Sequence, residues 1–242
     1  DADQEALARM KENLQGKPEF RRLKMVADNF MHLEDIVKRE KFHASGVFVD
    51  LGMSSEQLEQ SKRGFSFQKN ELLDMRYSLE NPLTAVKIVN YWSRNDITRI
   101  LKEYGQEQFA SQIAEAIVRE RKEHAIGRTG DLVRVIEGAV PGWYRRRKIH
   151  PATKTFQALR ITVNGELENL TSFIPQAVRI LSSGGRVVII SFHSLEDRIV
   201  KYAFKENVKL KVLTKKVVIP SLQERTQNVR SRSAKLRAAE KL

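Results

Sequence analysis

The sequence predicts an α/β fold with a mostly parallel sheet and an inserted helical segment. A short apolar run that closes on Asp50 is typical of a buried parallel strand. Residues 186–192 form a second and clearer run of the same kind. Residues 82–140 instead place their apolar side chains at helical spacing, which interrupts the alternation of strands and helices.

The N-terminal part predicts the order helix, strand, helix, strand. Asp3 is suited to cap a first helix, whose apolar side chains recur every three or four residues. Residues 20–26 predict a short strand, and a second helix begins at Phe30. Residues 46–52 then form the strand that ends near Asp50. This order is half of a doubly wound α/β unit.

The middle of the chain predicts short helices joined by loops. They cover residues 85–92, 96–104, 107–123 and 131–140. A Pro-Gly breaker then precedes a basic run at residues 145–148. We therefore predict a helical domain over residues 69–151. It is inserted between the two parts of an α/β domain, residues 1–68 and 152–242.

The α/β pattern resumes after the insertion. Within residues 156–181, apolar side chains recur every three or four residues, which predicts one long helix bent at Pro175. Gly184 and Gly185 are expected to end this helix. A further helix follows the strand at residues 186–192. Residues 208–218 predict a closing pair of strands, and the tail beyond them has little apolar content.

Composition and charge restrict the classes of function. The 242 residues are 41% hydrophobic, which is enough for a substantial core. The net charge of +13 and the isoelectric point near 10.0 favour a polyanionic partner, although a merely soluble basic protein is the alternative. The lack of cysteine excludes disulfides and thiolate metal sites, and the apolar runs are too short to cross a bilayer.

Polar residues follow three of the predicted strands. The segments are residues 28–30, 50–55 and 191–194. Ligands of open α/β sheets bind beyond the carboxyl ends of the strands, so these segments predict one cleft. The alternative for each segment taken alone is ordinary helix capping. The sequence contains no phosphate-binding P-loop and no dinucleotide fingerprint, and its histidines lack metal-ligand spacing.

Longer motifs resemble those of one family. They include DLGMSSEQL from Asp50, RGFSF from Arg63, PATKTFQALRI from Pro151 and SFHSLEDRIVK from Ser191. In these motifs and their order the chain resembles the RsmH/MraW family of S-adenosylmethionine-dependent 16S rRNA cytosine-N4 methyltransferases. The resemblance implies a class I, Rossmann-like methyltransferase fold with a helical insertion. It also implies S-adenosyl-L-methionine as cofactor and substrate recognition by the inserted helical domain. The residues themselves predict no metal site.

The resemblance extends to cofactor contacts. Asp1 matches the acid that accepts hydrogen bonds from the ribose hydroxyls, and Phe30 matches a residue beside the adenine. Asp50 and Gln57 match the remaining contacts, although Gln57 alone would be read as a surface helix residue. The family carries a Gly-rich loop upstream of the ribose acid. We therefore expect the first strand, that loop and the first helix to be missing, and favour a partial sequence over a natural truncation.

The target amine needs polar groups close to it, because its lone pair is conjugated into the ring. Asp50, Ser54 and Ser55 stand where related amino methyltransferases carry a short polar motif after the fourth strand, so they are the first candidates. His193 and Ser194 are the second candidates, because their strand opens on the same cleft. An oxygen acceptor could rehybridise the amine and later take its proton.

The RNA is expected to contact aromatic and basic side chains. Phe65 and Phe67 are candidates to stack on a flipped cytosine, with burial under the insertion as the alternative. The candidates for phosphate contacts are Arg145, Arg146, Arg147, Lys148, Lys154, Arg230 and Arg232. The alternative for them is a solvated basic face.

The resemblance therefore predicts methyl transfer to the N4 amine of a cytosine in small-subunit ribosomal RNA or the 30S subunit, in the bacterial cytoplasm. A non-catalytic factor that binds ribosomal RNA or assists ribosome assembly is the alternative from another class. A DNA amino methyltransferase is disfavoured, because the chain lacks the Pro-Pro-aromatic motif of those enzymes. The sequence does not decide whether the chain forms a homodimer.

Overall fold

The protein divides into two compact units. A computed structural model describes the backbone of residues 1–242 and every side chain except those of Glu19 and Arg21. The first unit comprises Asp1–Gly52 and Leu167–Leu242, and the second comprises Met53–Glu166. This division differs from the predicted one, because residues 53–68 and 152–166 belong to the helical unit. The reason lies in the second unit's core, to which Phe65, Phe156 and Leu159 contribute buried side chains.

The secondary structure alternates between helices and strands only in the first unit. The helices are α1 (Gln4–Leu14), α2 (Leu33–Arg39), α3 (Ser55–Glu59), α4 (Ala85–Tyr91), α5 (Arg94–Glu103), α6 (Ala110–Glu123), α7 (Thr129–Ala139), α8 (Gly142–Arg145), α9 (Ala152–Asn164), α10 (Glu166–Ile180), α11 (Ser194–Glu206) and α12 (Leu222–Gln227). The strands are β1 (Ala44–Asp50), β2 (Leu181–Ser191), β3 (Leu210–Val212) and β4 (Lys235–Lys241). Short 3₁₀ helices cover Pro18–Arg22, Phe30–His32 and Val229–Ser233. None of the helices among the described residues combines the length and the apolar character needed to cross a membrane.

The α/β class is confirmed, but the sheet is mixed. Its order is β1-β2-β4-β3, with β1 and β2 parallel and both pairs that involve β4 antiparallel. Strand β4, which was not predicted, is formed by the tail and lies between β2 and β3 in the sheet. The sequence of this strand lacks the usual pattern of large apolar residues, since its buried positions are the small residues Ala238 and Ala239, flanked by charged residues.

Strand β1 exists where it was predicted, but it is not buried on both faces. Val47 and Val49 pack partly against the core of the first unit, whereas Phe48 on the other face is 64% exposed. Within the described residues β1 pairs with β2 alone. The prediction of complete burial was therefore wrong, because a run of apolar residues does not reveal which face of a strand is covered.

The strand predicted over residues 20–26 does not form. Pro18–Arg22 is a 3₁₀ helix, and residues 23–27 are extended without a ladder. The main-chain nitrogen of Asp1 donates to the Val26 carbonyl (3.0 Å), and the Asp28 N–H donates to the Asp1 carbonyl (3.0 Å). These two bonds have the pattern of a parallel pair, so Asp1 lies alongside the segment that leads to Phe30.

The long helix predicted over residues 156–181 is two helices. It breaks at Gly165, which adopts φ of +59° between α9 and α10, and not at Pro175, which lies inside α10. Gly184 and Gly185 also do not end a helix. They lie in an irregular part of β2, where the register with β1 shifts between Ala44 and Gly46.

Each unit has its own apolar core. In the first unit, Phe173 and Ala177 of α10 pack with Val187 and Ile189 of β2 and with Phe204 of α11. In the second unit, the core is built by helices α4, α5, α6, α7 and α9. The predicted helices of the insertion are confirmed to within a few residues at each end.

Candidate functional site

The carboxyl ends of β1 and β2 lie side by side in the first unit. Asp50 is in register with Ile190, and the Leu51 N–H donates to the Ile190 carbonyl (3.0 Å). Asp50 is therefore next to the start of the segment 191–194. Gly52 follows with φ of +94°, and a Cβ there would lie 3.7 Å from the Phe192 ring. A side chain at Gly52 would be strained by its backbone conformation rather than by lack of space.

Helix α11 begins at this edge with a reciprocal cap. His193 is the N-cap residue, and its Nδ1 accepts from the Glu196 N–H (3.4 Å). The Glu196 carboxylate in turn accepts from the N–H groups of Phe192 (2.8 Å) and His193 (3.2 Å). Glu196 is only 2% exposed, so a buried charge is held at a helix N-terminus, where the helix dipole favours it. Sequence reasoning missed Glu196, although the three-residue spacing from His193 is that of a capping box.

One ring nitrogen of His193 has no hydrogen-bond partner among the described residues. Its Nε2 lies 3.3 Å from a Glu196 carboxylate oxygen, but the direction is unsuitable for a hydrogen bond, and the atom has no other partner among the described residues. The side chain is 10% exposed. Because Nδ1 accepts a main-chain N–H, the neutral ring carries its proton on Nε2. A buried donor without an acceptor is a position that a ligand atom can satisfy.

The Asp50 carboxyl has an altered acidity. Partial burial raises the pKa of Asp50, and the negative charge of Glu196 raises it further. The residue remains exposed on its outer side. A carboxylate with a raised pKa is a better proton acceptor than an ordinary aspartate, which is the property expected of a general base.

The predicted cofactor residues Asp1 and Phe30 both belong to the first unit. The Asp1 carboxylate accepts from the Asp3 N–H (2.9 Å) and is otherwise exposed. Phe30 packs edge-to-face against Phe173, with ring centroids 5.3 Å apart, and is half-buried. Asn29 caps the turn that begins at Phe30 by accepting from the Met31 N–H (3.0 Å). Capping therefore accounts for Asn29, but not for Asp1 or Phe30.

In the second unit, Ser54 and Gln57 form a capping box at the start of α3. The Gln57 N–H donates to Ser54 Oγ (3.1 Å), and the Ser54 N–H donates to Gln57 Oε1 (2.9 Å). Gln57 is 6% exposed, so it is not the surface residue that its helix alone would suggest. Ser55 is the first residue of the helix. The capping alternative is thus realised for Ser54, and Gln57 is its partner in the capping box.

The two candidate stacking residues of the second unit differ. Phe65 is 6% exposed, and its ring is stacked on Tyr77 at 5.6 Å. Burial therefore accounts for Phe65, and its ring is not open to a base. Phe67 is half-buried, with its ring stacked on His150 at 4.7 Å and edge-to-face with Phe156.

The basic candidates lie on both units. Residues 145–148 of the second unit are all exposed, and the Arg147 guanidinium carbon is 5.3 Å from the Tyr144 ring centroid. Lys154 is less exposed and donates to the Gln106 carbonyl (2.7 Å). Arg230 and Arg232 of the first unit are exposed on the 3₁₀ helix Val229–Ser233.

Comparison with known proteins gives one consistent result. The sequence model of the MraW methylase family matches residues 1–242. Similar proteins named "Ribosomal RNA small subunit methyltransferase H" occur in Synechocystis sp., 53% identical over 197 residues, and in Synechococcus elongatus, 49% identical over 197 residues. These alignments cover 81% of this chain and 64% and 66% of the relatives. The chain thus spans a little under two thirds of their length.

A relative of the same name in Persephonella marina is 43% identical over 246 residues, covering 100% of this chain and 83% of its own length. The match of the family model over the whole chain agrees with the motifs at Asp50 and at residues 191–201. This chain belongs to the MraW methylase family.

Proposed function

We propose that this chain is the main part of an enzyme that transfers a methyl group from S-adenosyl-L-methionine to the N4 amine of a cytosine in 16S ribosomal RNA. The observation that carries the proposal is the family match over residues 1–242, with relatives named as small-subunit ribosomal RNA methyltransferases. The geometry supports it independently. Asp50, with its raised pKa, lies at the end of the strand paired with the one that leads to His193, whose buried Nε2 lacks a partner.

The chemistry of Asp1 and Phe30, both in the first unit, suits a nucleoside. Asp1 offers an exposed carboxylate, which is able to accept both ribose hydroxyl protons. Phe30 offers a half-buried ring, which Phe173 holds in an edge-to-face contact. The face of the Phe30 ring suits stacking on an adenine. Asp50 and Gln57 are proposed as the remaining cofactor contacts.

The protein's part in the reaction is to position groups and to handle a proton. When bound, S-adenosylmethionine supplies a methyl group made electrophilic by its sulfonium sulfur. Asp50 accepts a hydrogen bond from the cytosine amine, which localises the lone pair of the nitrogen, and then takes the proton that the amine loses. His193 Nε2–H donates to an acceptor on the base. Ser54, Ser55 and Ser194 are proposed as further contacts of the target nucleotide.

The RNA is proposed to lie against basic and aromatic side chains. Proposed contacts to phosphates are those of Arg145, Arg146, Arg147, Lys148, Lys154, Arg230 and Arg232. Phe67 is retained as a base-stacking candidate, whereas Phe65 is withdrawn because its ring is buried against Tyr77. The proposed setting is the cytoplasm, with 16S RNA or the 30S subunit as partner.

The test is a two-step assay on the full gene product that contains this chain. Calorimetric titration with S-adenosylmethionine is expected to give saturable binding, weakened by Asp1→Asn and unchanged by the exposed control Asp35→Asn. Labelled cofactor is then incubated with unmethylated 16S RNA and with 30S subunits, and the RNA is digested for mass spectrometry. N4-methylcytidine is the expected product.

Binding of the cofactor without any methyl transfer to RNA would favour a non-catalytic assembly factor, and methylation of another atom would contradict the proposal. Light scattering on the same sample tests for a homodimer.

A further inference from the structure

The short helix α8 presents an indole ring to solvent. Trp143 is 54% exposed, which is unusual for so large an apolar side chain. Its ring is nonetheless held in place, because it packs edge-to-face against Phe109 at 5.8 Å and against Tyr144 at 5.7 Å. The ring is therefore supported by aromatic neighbours in its own unit while much of its surface stays open.

The support beneath Trp143 is fixed by a buried hydrogen bond. Tyr144 is 4% exposed, and its hydroxyl donates to Glu107 Oε2 (2.7 Å). Glu107 is 3% exposed, and its other oxygen accepts from the Phe109 N–H (2.8 Å). Burial, followed by the hydrogen bond and the charge of Glu107, raises the pKa of Tyr144 to about 12, so the phenol stays neutral. An aromatic surface that is already ordered loses little entropy when a ligand stacks on it.

The charges next to this ring have no carboxylate partners. Residues 145–148 supply four exposed cations, and none forms a salt bridge with a residue that the structure describes. Other arginines of the same unit do have such partners, as in Arg94–Glu115 and Arg99–Glu103. The positive field beside Trp143 is therefore not neutralised within the protein, which suits a polyanion.

We propose that Trp143 stacks on an unpaired base of the RNA while Arg145, Arg146 and Lys148 contact the flanking phosphates. An exposed aromatic ring beside unpaired cations is the combination by which proteins hold single-stranded nucleic acid. Bases inside a duplex are already stacked on one another and do not reach such a ring. This inference rests on the proposed function, in which the chain binds ribosomal RNA. It adds that this surface binds unpaired rather than duplex RNA.

Affinity measurements with matched variants test the inference. Trp143→Leu keeps apolar packing but removes the π-face, whereas Trp143→Phe keeps a smaller one. The probe is an unpaired 12-nucleotide RNA, compared with an abasic strand of equal length. We expect Trp143→Leu to weaken RNA binding about 5- to 150-fold, the range of base–aromatic stacking, and to leave abasic binding unchanged. Tyr91→Leu, at a residue 80% exposed on α4, is the control and should have no effect.

Fluorescence provides a readout that leaves Trp143 in place. The chain has two tryptophans, so Trp92→Phe isolates the signal of Trp143. Unpaired RNA should quench this signal, and the abasic strand and a duplex should not. Absence of quenching together with unchanged affinity of Trp143→Leu would overturn the stacking inference. If Arg145→Gln and Arg146→Gln still weaken binding in that case, the proposed RNA surface stands without the stack. If they too have no effect, the RNA surface itself is wrong.

Discussion

Asp50 carries its negative charge at a position where the first unit disfavours it. Burial raises the pKa of Asp50 above the usual 3.8, and the buried Glu196 carboxylate adds repulsion. The folded protein therefore binds the Asp50 proton more tightly than the unfolded chain does. As the pH rises from about 3.8 to above the raised pKa of Asp50, ionisation of this carboxyl lowers the free energy of unfolding. Above the raised pKa the full destabilisation is present. A residue retained at such a cost is a candidate for function.

Asp50→Asn should accordingly stabilise the protein while it impairs methyl transfer. Thermal unfolding followed from pH 3 to pH 8 should show the variant above the wild type at neutral pH, with the difference vanishing at the acid end. Loss of a general base typically costs about 10²-fold or more in rate, so single-turnover transfer to RNA should fall by that order. Asp35→Asn should change neither property. Equal stabilities of Asp50→Asn and wild type at neutral pH would contradict the account of the Asp50 charge.

Glu196 has the opposite role, because its buried charge is satisfied. The carboxylate accepts the N–H groups of Phe192 and His193, so Glu196→Ala leaves two partly buried donors without this acceptor. We expect the free energy of unfolding to fall by about 1–3 kcal/mol, measured by urea denaturation. Glu206→Ala, at the exposed end of the same helix, should stay within about 0.5 kcal/mol of the wild type. A loss for Glu196→Ala no larger than that of this control would count against the cap.

At the scale of elements, the break between α9 and α10 depends on one backbone conformation. Gly165 has φ of +59°, which side chains disfavour, whereas Gly138 lies in the last turn of α7 with open space around its missing Cβ. Gly165→Ala should therefore lower the free energy of unfolding by about 1–2 kcal/mol. Gly138→Ala should raise it by up to about 0.5 kcal/mol, because alanine is favoured over glycine in a helix and the gain is smaller in the last turn than in the interior. Calorimetry on both variants checks the pair, and a stabilising Gly165→Ala would mean that the helix can run through this position.

The same elements explain how far the sequence predicts this fold. Helices α4 to α7 were located to within a few residues, because their apolar residues repeat at helical spacing over two or more turns. Strand β4 was missed, because its buried positions are alanines between charged residues. In the site, the polar residues after β1 and β2 were identified, whereas Glu196 was not, since its role appears only when the cap of α11 is seen. Local spacing thus predicts helices better than it predicts which strand faces are covered.

At the scale of the whole molecule, the excess of positive charge is the dominant property. The net charge is +13, and the proposed phosphate contacts lie on both units, at residues 145–148 of one and at Arg230 and Arg232 of the other. Each cation that contacts a phosphate releases condensed counterions when the RNA binds. Affinity for RNA should therefore depend steeply on salt, in a way that binding of the small cofactor should not.

The salt dependence measures how many of these cations contact RNA. A plot of log affinity against log salt should lose about 0.7 of slope for each phosphate contact removed from a single strand. Replacing Arg145, Arg146, Arg147 and Lys148 together by glutamine should thus reduce the slope by about 2.8. Arg99→Gln is the matched control, because the charge of Arg99 is already paired with Glu103. Fluorescence anisotropy from 50 to 300 mM salt gives the slopes. If the fourfold variant keeps the wild-type slope, the counterions are released elsewhere, and Arg230→Gln and Arg232→Gln then show whether the 3₁₀ helix of the first unit carries the RNA contact instead.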